Sequence, residues 1–107
     1  MTNLGYAWEK LFSAVLSMAM GENNVQSRLY DAFLGFHTLK TEDFPEDLQK
    51  DFNEIMNKLT EVKTQTGNEG IVRATLNVMS DMDARNLAEN IVSLYTEITR
   101  RDAIERA

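Results

Sequence analysis

The chain contains no cysteine. That excludes disulfides, thiolate zinc sites and thiol nucleophiles, and it fits a reducing compartment. There is a single histidine, His37, so a catalytic histidine would have to be this one, with an orienting partner beside it. It sits at the end of an amphipathic segment next to Thr38, where a surface position or a helix C-terminal dipole is the simpler role. No run of about 18 apolar residues exists, which excludes a membrane-spanning helix. The stretch from Leu11 to Met20 is short, and Ser13 and Ser17 break it. The first residues lack a basic segment, and Glu9 and Lys10 interrupt the apolar stretch that follows, so no targeting leader is expected. Basic residues are the minority: 11 against 17 acidic, a net charge of −6. Such a chain repels nucleic acid overall. We therefore expect a soluble, cytoplasmic protein with no membrane and no direct nucleic-acid contact.

The missing motifs narrow the chemistry further. There is no Gly-x-Ser-x-Gly elbow and no lysine spaced for a Ser-Lys pair. Thr66-Gly67-Asn68-Glu69-Gly70 has no following lysine and is not a Walker-type phosphate loop; it reads as a flexible connection. Asp81-x-Asp83 is too short for an EF-hand, and the Glu-x-x-His pairs of a di-iron bundle are absent. Arg100, Arg101 and Arg106 cluster near the C-terminus but are diluted by Asp102 and Glu105. A recognition helix opening on Asp81, Asp83 and Glu89 would face phosphates badly. These observations imply no enzyme, no cofactor and no metal. One enzymatic alternative is a magnesium site made only of carboxylates, from Glu46, Asp47, Asp51 and Glu54. Their simpler reading is a solvated face.

What is present is helical periodicity. With 107 residues, 43% hydrophobic and 26% charged, the chain suits one domain, and a domain of this size buries roughly two-thirds of its unfolded surface. Five segments repeat apolar residues at helical spacing, at about 4–20, 25–39, 45–62, 71–79 and 81–100. The fold class expected is all-α, a compact four- to five-helix antiparallel bundle forming one domain over 1–107.

The first helix carries a broad stripe of Leu4, Ala7, Trp8, Leu11, Phe12, Ala14, Val15, Met18 and Ala19. Asn3 is its expected cap and Gly21 its expected left-handed terminator. The second carries Val25, Leu29, Ala32, Phe33, Phe36 and Leu39 behind Asn24, with Gly35 permitting close approach or a bend. The third opens with Pro45, Glu46 and Asp47, all suited to a first turn, and has a narrow stripe of Leu48, Phe52, Ile55, Met56, Leu59 and Val62. Phe44 is placed to staple against Leu48. The fourth is expected to bury Ile71, Val72, Thr75, Val78 and Met79. The fifth, capped by Ser80, should bury Ala84, Leu87, Ala88, Ile91, Val92, Leu94, Tyr95 and Ile98 before a frayed tail.

Five residues lie off these stripes: Tyr6, Leu16 and Met20 on the first helix, and Tyr30 and Leu34, one turn apart, on the second. Either the later helices and loops cover them, or they form an interface with a protein partner or a second copy. Aromatic residues and methionine are enriched in interface cores. The function this implies is a non-enzymatic helical protein-protein interaction module, as a homo-oligomer or as a small accessory subunit of a larger bacterial-type complex. The alternative is an acidic inhibitor or regulator whose third-helix carboxylates imitate phosphates and occupy a basic site on a nucleic-acid-processing enzyme.

Overall fold

Three side chains start three of the helices. Asn3 Oδ1 accepts from the Tyr6 amide, Asn24 Oδ1 from the Ser27 amide at 2.9 Å and Ser80 Oγ from the Asp83 amide at 3.1 Å. Each satisfies a first-turn donor that has no partner inside the helix. The computed structural model describes residues 2–63 and 67–106. Over these residues the order is α1 (Leu4–Met20), α2 (Val25–Phe36), a 3-10 turn (Thr41–Asp43), α3 (Glu46–Leu59), α4 (Asn68–Val78) and α5 (Asp81–Arg106). The architecture is an all-α bundle with no strand among the described residues.

Cross-chain hydrogen bonds fix the directions. Tyr6 and Thr38 share a hydroxyl hydrogen bond of 2.7 Å, joining the start of α1 to the end of α2. The two helices are therefore antiparallel. At their shared turn, Gln26 Nε2 donates to Met79 O and Asp81 Oδ1, both at 2.9 Å, which brings in the start of α5. At the other end, the Asn3 amide donates to Asp43 O, and Arg101 grips Asp47. Hence α5 runs antiparallel to both α1 and α3. α1 passes close to Gly35 of α2: a β-carbon added there would lie 3.3 Å from Ser13 Oγ and 3.5 Å from the Ala14 nitrogen.

The core follows the periodicity in most places. Leu4, Ala7, Leu11, Ala14 and Met18 of α1 are buried, as are Leu29, Ala32, Phe33 and Phe36 of α2 and Leu48, Phe52, Ile55 and Leu59 of α3. On α5 the buried edge is Ala84, Leu87, Ile91, Leu94 and Ile98. Phe44 is fully buried in the same core cluster as Leu48, and its ring also stacks on Phe52 at 4.5 Å.

Several expectations are corrected. Gly21 is extended (φ −67°, ψ 146°), not left-handed; its open side accommodates the Arg28 stem, which a β-carbon there would meet at 2.6 Å. α2 stops at Phe36, and α3 starts at Glu46 with Pro45 as an extended cap and ends at Leu59. α4 begins at Asn68, so part of the expected loop is helical; Thr66 lies outside the described residues. Glu69 in that first turn suits the helix dipole. The face of α4 is also rotated: Val72, Thr75 and Leu76 are buried, while Val78 is 74% exposed. The tail after Arg100 is helix through Arg106, held by Arg101 and by an Asp102–Arg106 pair at 3.1 Å.

Thr75 is the one buried polar residue of the described core. Its hydroxyl donates to Ile71 O at 2.9 Å and accepts from the Val62 amide at 3.0 Å, tying the α3–α4 connection to α4. Thr75→Val keeps the shape but leaves the Val62 amide without its partner. We expect a loss of about 1–2 kcal/mol in chemical denaturation, with Thr75→Ser close to wild type. Equal stability of both variants would remove this role.

Candidate interaction face

Some of the apolar residues that the fold does not cover lie on α1 and α5, while Leu34, Val78 and Ile104 stand apart on other parts of the surface. Trp8 and Phe12, one turn apart on α1, stack at 5.3 Å and 8°. Tyr95 of α5 closes the cluster at 6.4 Å from Trp8 and 6.3 Å from Phe12. Trp8 and Tyr95 pack against the core as a partly buried base. Above that base Phe12, Leu16 and Val92 stay 41%, 44% and 42% exposed. From Leu11 to Gly21, α1 and its cap carry no charged residue at all. Depletion of charge around aromatic side chains is the composition of an interface centre. The three rings pack on one another across two antiparallel helices.

The five off-stripe residues do not form one patch. Leu16 follows Phe12 by one turn on α1, and Met20, one turn further on, is still more exposed at 71%. Tyr6 lies about 21 Å from Met20 along the helix, turned to the α2 side, with its hydroxyl on Thr38 and Lys10 Nζ 5.6 Å from its ring centre. Tyr30 packs against the core under Arg73 of α4, whose guanidinium is 4.2 Å from the ring centre. Leu34 remains exposed on α2. Sequence reasoning assigned Phe12 and Val92 to the core. The usable signal was the width of the α1 stripe: nine positions are more than two neighbouring helices can cover.

Compared with protein-family models, curated proteins and solved structures, the chain matches none of them. Its residues are therefore the whole basis for any functional argument.

Other surface features have different chemistry. His37 caps α2, its ring Nδ1 2.8 Å from Leu34 O. A polar hollow of about 360 Å³ lies between α2 and α4, lined by Gln26, Tyr30, Arg73 and Asp81 among others. A cleft of about 520 Å³ separates α3, α4 and the start of α5. The carboxylates of α3 are partly neutralised. Asp47 accepts two bonds from Arg101, at 2.8 and 2.7 Å, and Lys50 stands 4.0 Å from Glu54. No group of three His, Asp or Glu residues converges with metal-ligand geometry among the described residues.

The Arg101 clamp has a pH consequence. Its hydrogen bonds hold the Asp47 carboxyl below the ordinary carboxylate range, and Arg100 first, then Arg101, does the same to Glu97. Both groups are depressed on folding. The stability they contribute is therefore present at neutral pH and is lost as pH falls through their lowered values. Asp47 is exposed and Arg101 and Glu97 are only partly covered, so solvent screens these pairs and the contribution is modest. Arg101→Met should lower the unfolding midpoint at neutral pH, and the gap from wild type should close as acid protonates both carboxyls. A gap that persists undiminished at about pH 2 would show that lost packing, not charge, is responsible.

Proposed function

We infer that this protein is a non-enzymatic helical interaction module that docks onto a protein partner through the α1–α5 seam. The reading rests on one observation: Phe12, Leu16 and Val92 stand half-exposed over a fixed aromatic base, on a helix whose last ten residues are uncharged. Their burial against a partner would contribute roughly 25 cal/mol per Å² of apolar area, with little cost for ordering the face. The partner is either a second copy or a larger assembly of which this chain is a small accessory subunit. The absence of cysteine suits a cytoplasmic setting. The α3 carboxylates support phosphate mimicry less well, because Lys50 and Lys58 interleave with them and Asp47 is engaged by Arg101.

The test is site-specific photo-cross-linking with the full chain, in purified form and in host extract. A photoreactive residue at position 16 should give discrete protein adducts, and one at Lys50 on α3 should not. Leu16→Asp should abolish those adducts when the probe is moved to position 12, while changing folding stability by no more than about 0.5 kcal/mol. No adduct from position 16, or equal labelling from both sites, would overturn the reading.

A further inference from the structure

The outward face of α5 carries a pattern that its own bundle does not use. Met82, Arg85, Glu89 and Val92 recur at spacings of three, four and three, which places them in one row along the helix. The row lies on the side away from the buried edge of Ala84, Leu87, Ile91 and Leu94, and all four residues are exposed, Met82 at 73% and Val92 at 42%. Among the described residues neither Arg85 nor Glu89 has an ion-pair partner. The pair stands one turn apart on the same helix, but with the base N-terminal to the acid, the less favourable order within a helix.

The row is its own complement when reversed. Reflected about the level of Leu87, Met82 exchanges with Val92 and Arg85 exchanges with Glu89. We propose that a second copy of this chain docks here, with the two α5 helices antiparallel about a two-fold axis level with Leu87. The proposal rests on the docking reading above and specifies its partner. Such an axis requires that residue i meets j and that j meets i. Four layers satisfy it: Met82 on Val92 of the second copy, Arg85 on Glu89, Glu89 on Arg85 and Val92 on Met82. Spacings of three and four are those that bring residues of facing helices into register.

Charge selects this arrangement over its rivals. In a parallel pairing Arg85 would face Arg85 and Glu89 would face Glu89, which repel. The antiparallel pairing forms two opposite-charge contacts instead. Beside the row, Asn86 and Ser93 on one flank and Ala88 and Tyr95 on the other are uncharged. Asp81, one heptad before Ala88, is a charged residue of that flank, and its side chain accepts from Gln26. Tyr95 touches Phe12, so α1 lies along the Ala88–Tyr95 flank. Two-fold antiparallel pairing sets like flanks side by side, and α1 of each copy then closes beside the other, covering Phe12 and Leu16. The completed interface is a four-helix layer of two α1 and two α5 helices.

The test is charge exchange, read by sedimentation equilibrium on the full chain. Wild type should show a monomer–dimer equilibrium at loading concentrations up to about 1 mM. Arg85→Glu and Glu89→Arg should each weaken dimerisation by at least about tenfold. The double variant R85E/E89R should recover it to within about threefold, because the same pairs re-form with signs exchanged. Circular dichroism should show equal helicity for all four chains, since both positions face solvent in the monomer. A wild type that stays monomeric throughout, singles that associate like wild type, or a double variant that fails to recover would each overturn the second copy as partner. A monomer that still cross-links from position 16 to another protein would refute this inference and leave the docking face standing. A monomer with no adducts at all would remove both.

Discussion

The bundle depends on the apolar edge of α5. Ala84, Leu87, Ile91, Leu94 and Ile98 form one continuous line of side chains, all nearly or fully excluded from solvent. α1, α2 and α3 all pack on this helix. A single helix that serves three neighbours must present its apolar residues at strict helical spacing along enough length to reach them all. At 26 residues α5 is the longest element described. Burial of that edge is the non-directional part of the stabilisation. The directional part comes from its two ends: Gln26 bridges to Asp81 at one, and Arg101 reaches Asp47 at the other.

These end contacts explain why the connections are arranged as they are. Gln26 spans the last turn of α4 and the first residue of α5, so the α4–α5 corner is held against the start of α2. Arg101 joins α3 to the C-terminal part of α5 and keeps that part helical where a fraying tail would otherwise stand. Thr75 performs the same service inside the core, because its hydroxyl satisfies an amide that the chain exposes on leaving α3. Of these polar contacts the Thr75 one lies in the core, where an unpaired amide costs most, while those of Asp81 and Asp47 lie at the surface and weigh less.

A core organised on one edge of α5 leaves the opposite edge free, and this links the fold to the functional reading. α1 covers one flank of α5 with Trp8 and Tyr95 in contact, yet among the described residues Phe12, Leu16 and Val92 stay more than 40% exposed. The resulting face joins two elements far apart in sequence. It is apolar at the seam and carries one acid and one base along the row. The proposed docking would use both features, since an interface needs area and a means of setting orientation.

The helices, their caps at Asn3, Asn24 and Ser80, and most of the core were legible in the residues themselves, because periodicity and capping are local properties of a chain. The helix ends were less so. The α2 stop at Phe36, the early start of α4 at Asn68 and the helical continuation to Arg106 lay outside the periodic pattern, and in the last case Arg101 meets Asp47 of another element. Burial on a wide stripe was not legible either. Nine apolar positions on α1 share one broad face, and periodicity alone cannot say which of them a neighbour will cover. Packing decided that Trp8 would serve as a base and Phe12 would stand out, that Tyr30 would lie under Arg73, and that Leu16 would belong to the same surface as Val92. Local chemistry determined that this chain is helical and where each helix presents apolar side chains. Only the tertiary arrangement determined which of those side chains were left over, because coverage depends on the neighbour and not on the residue.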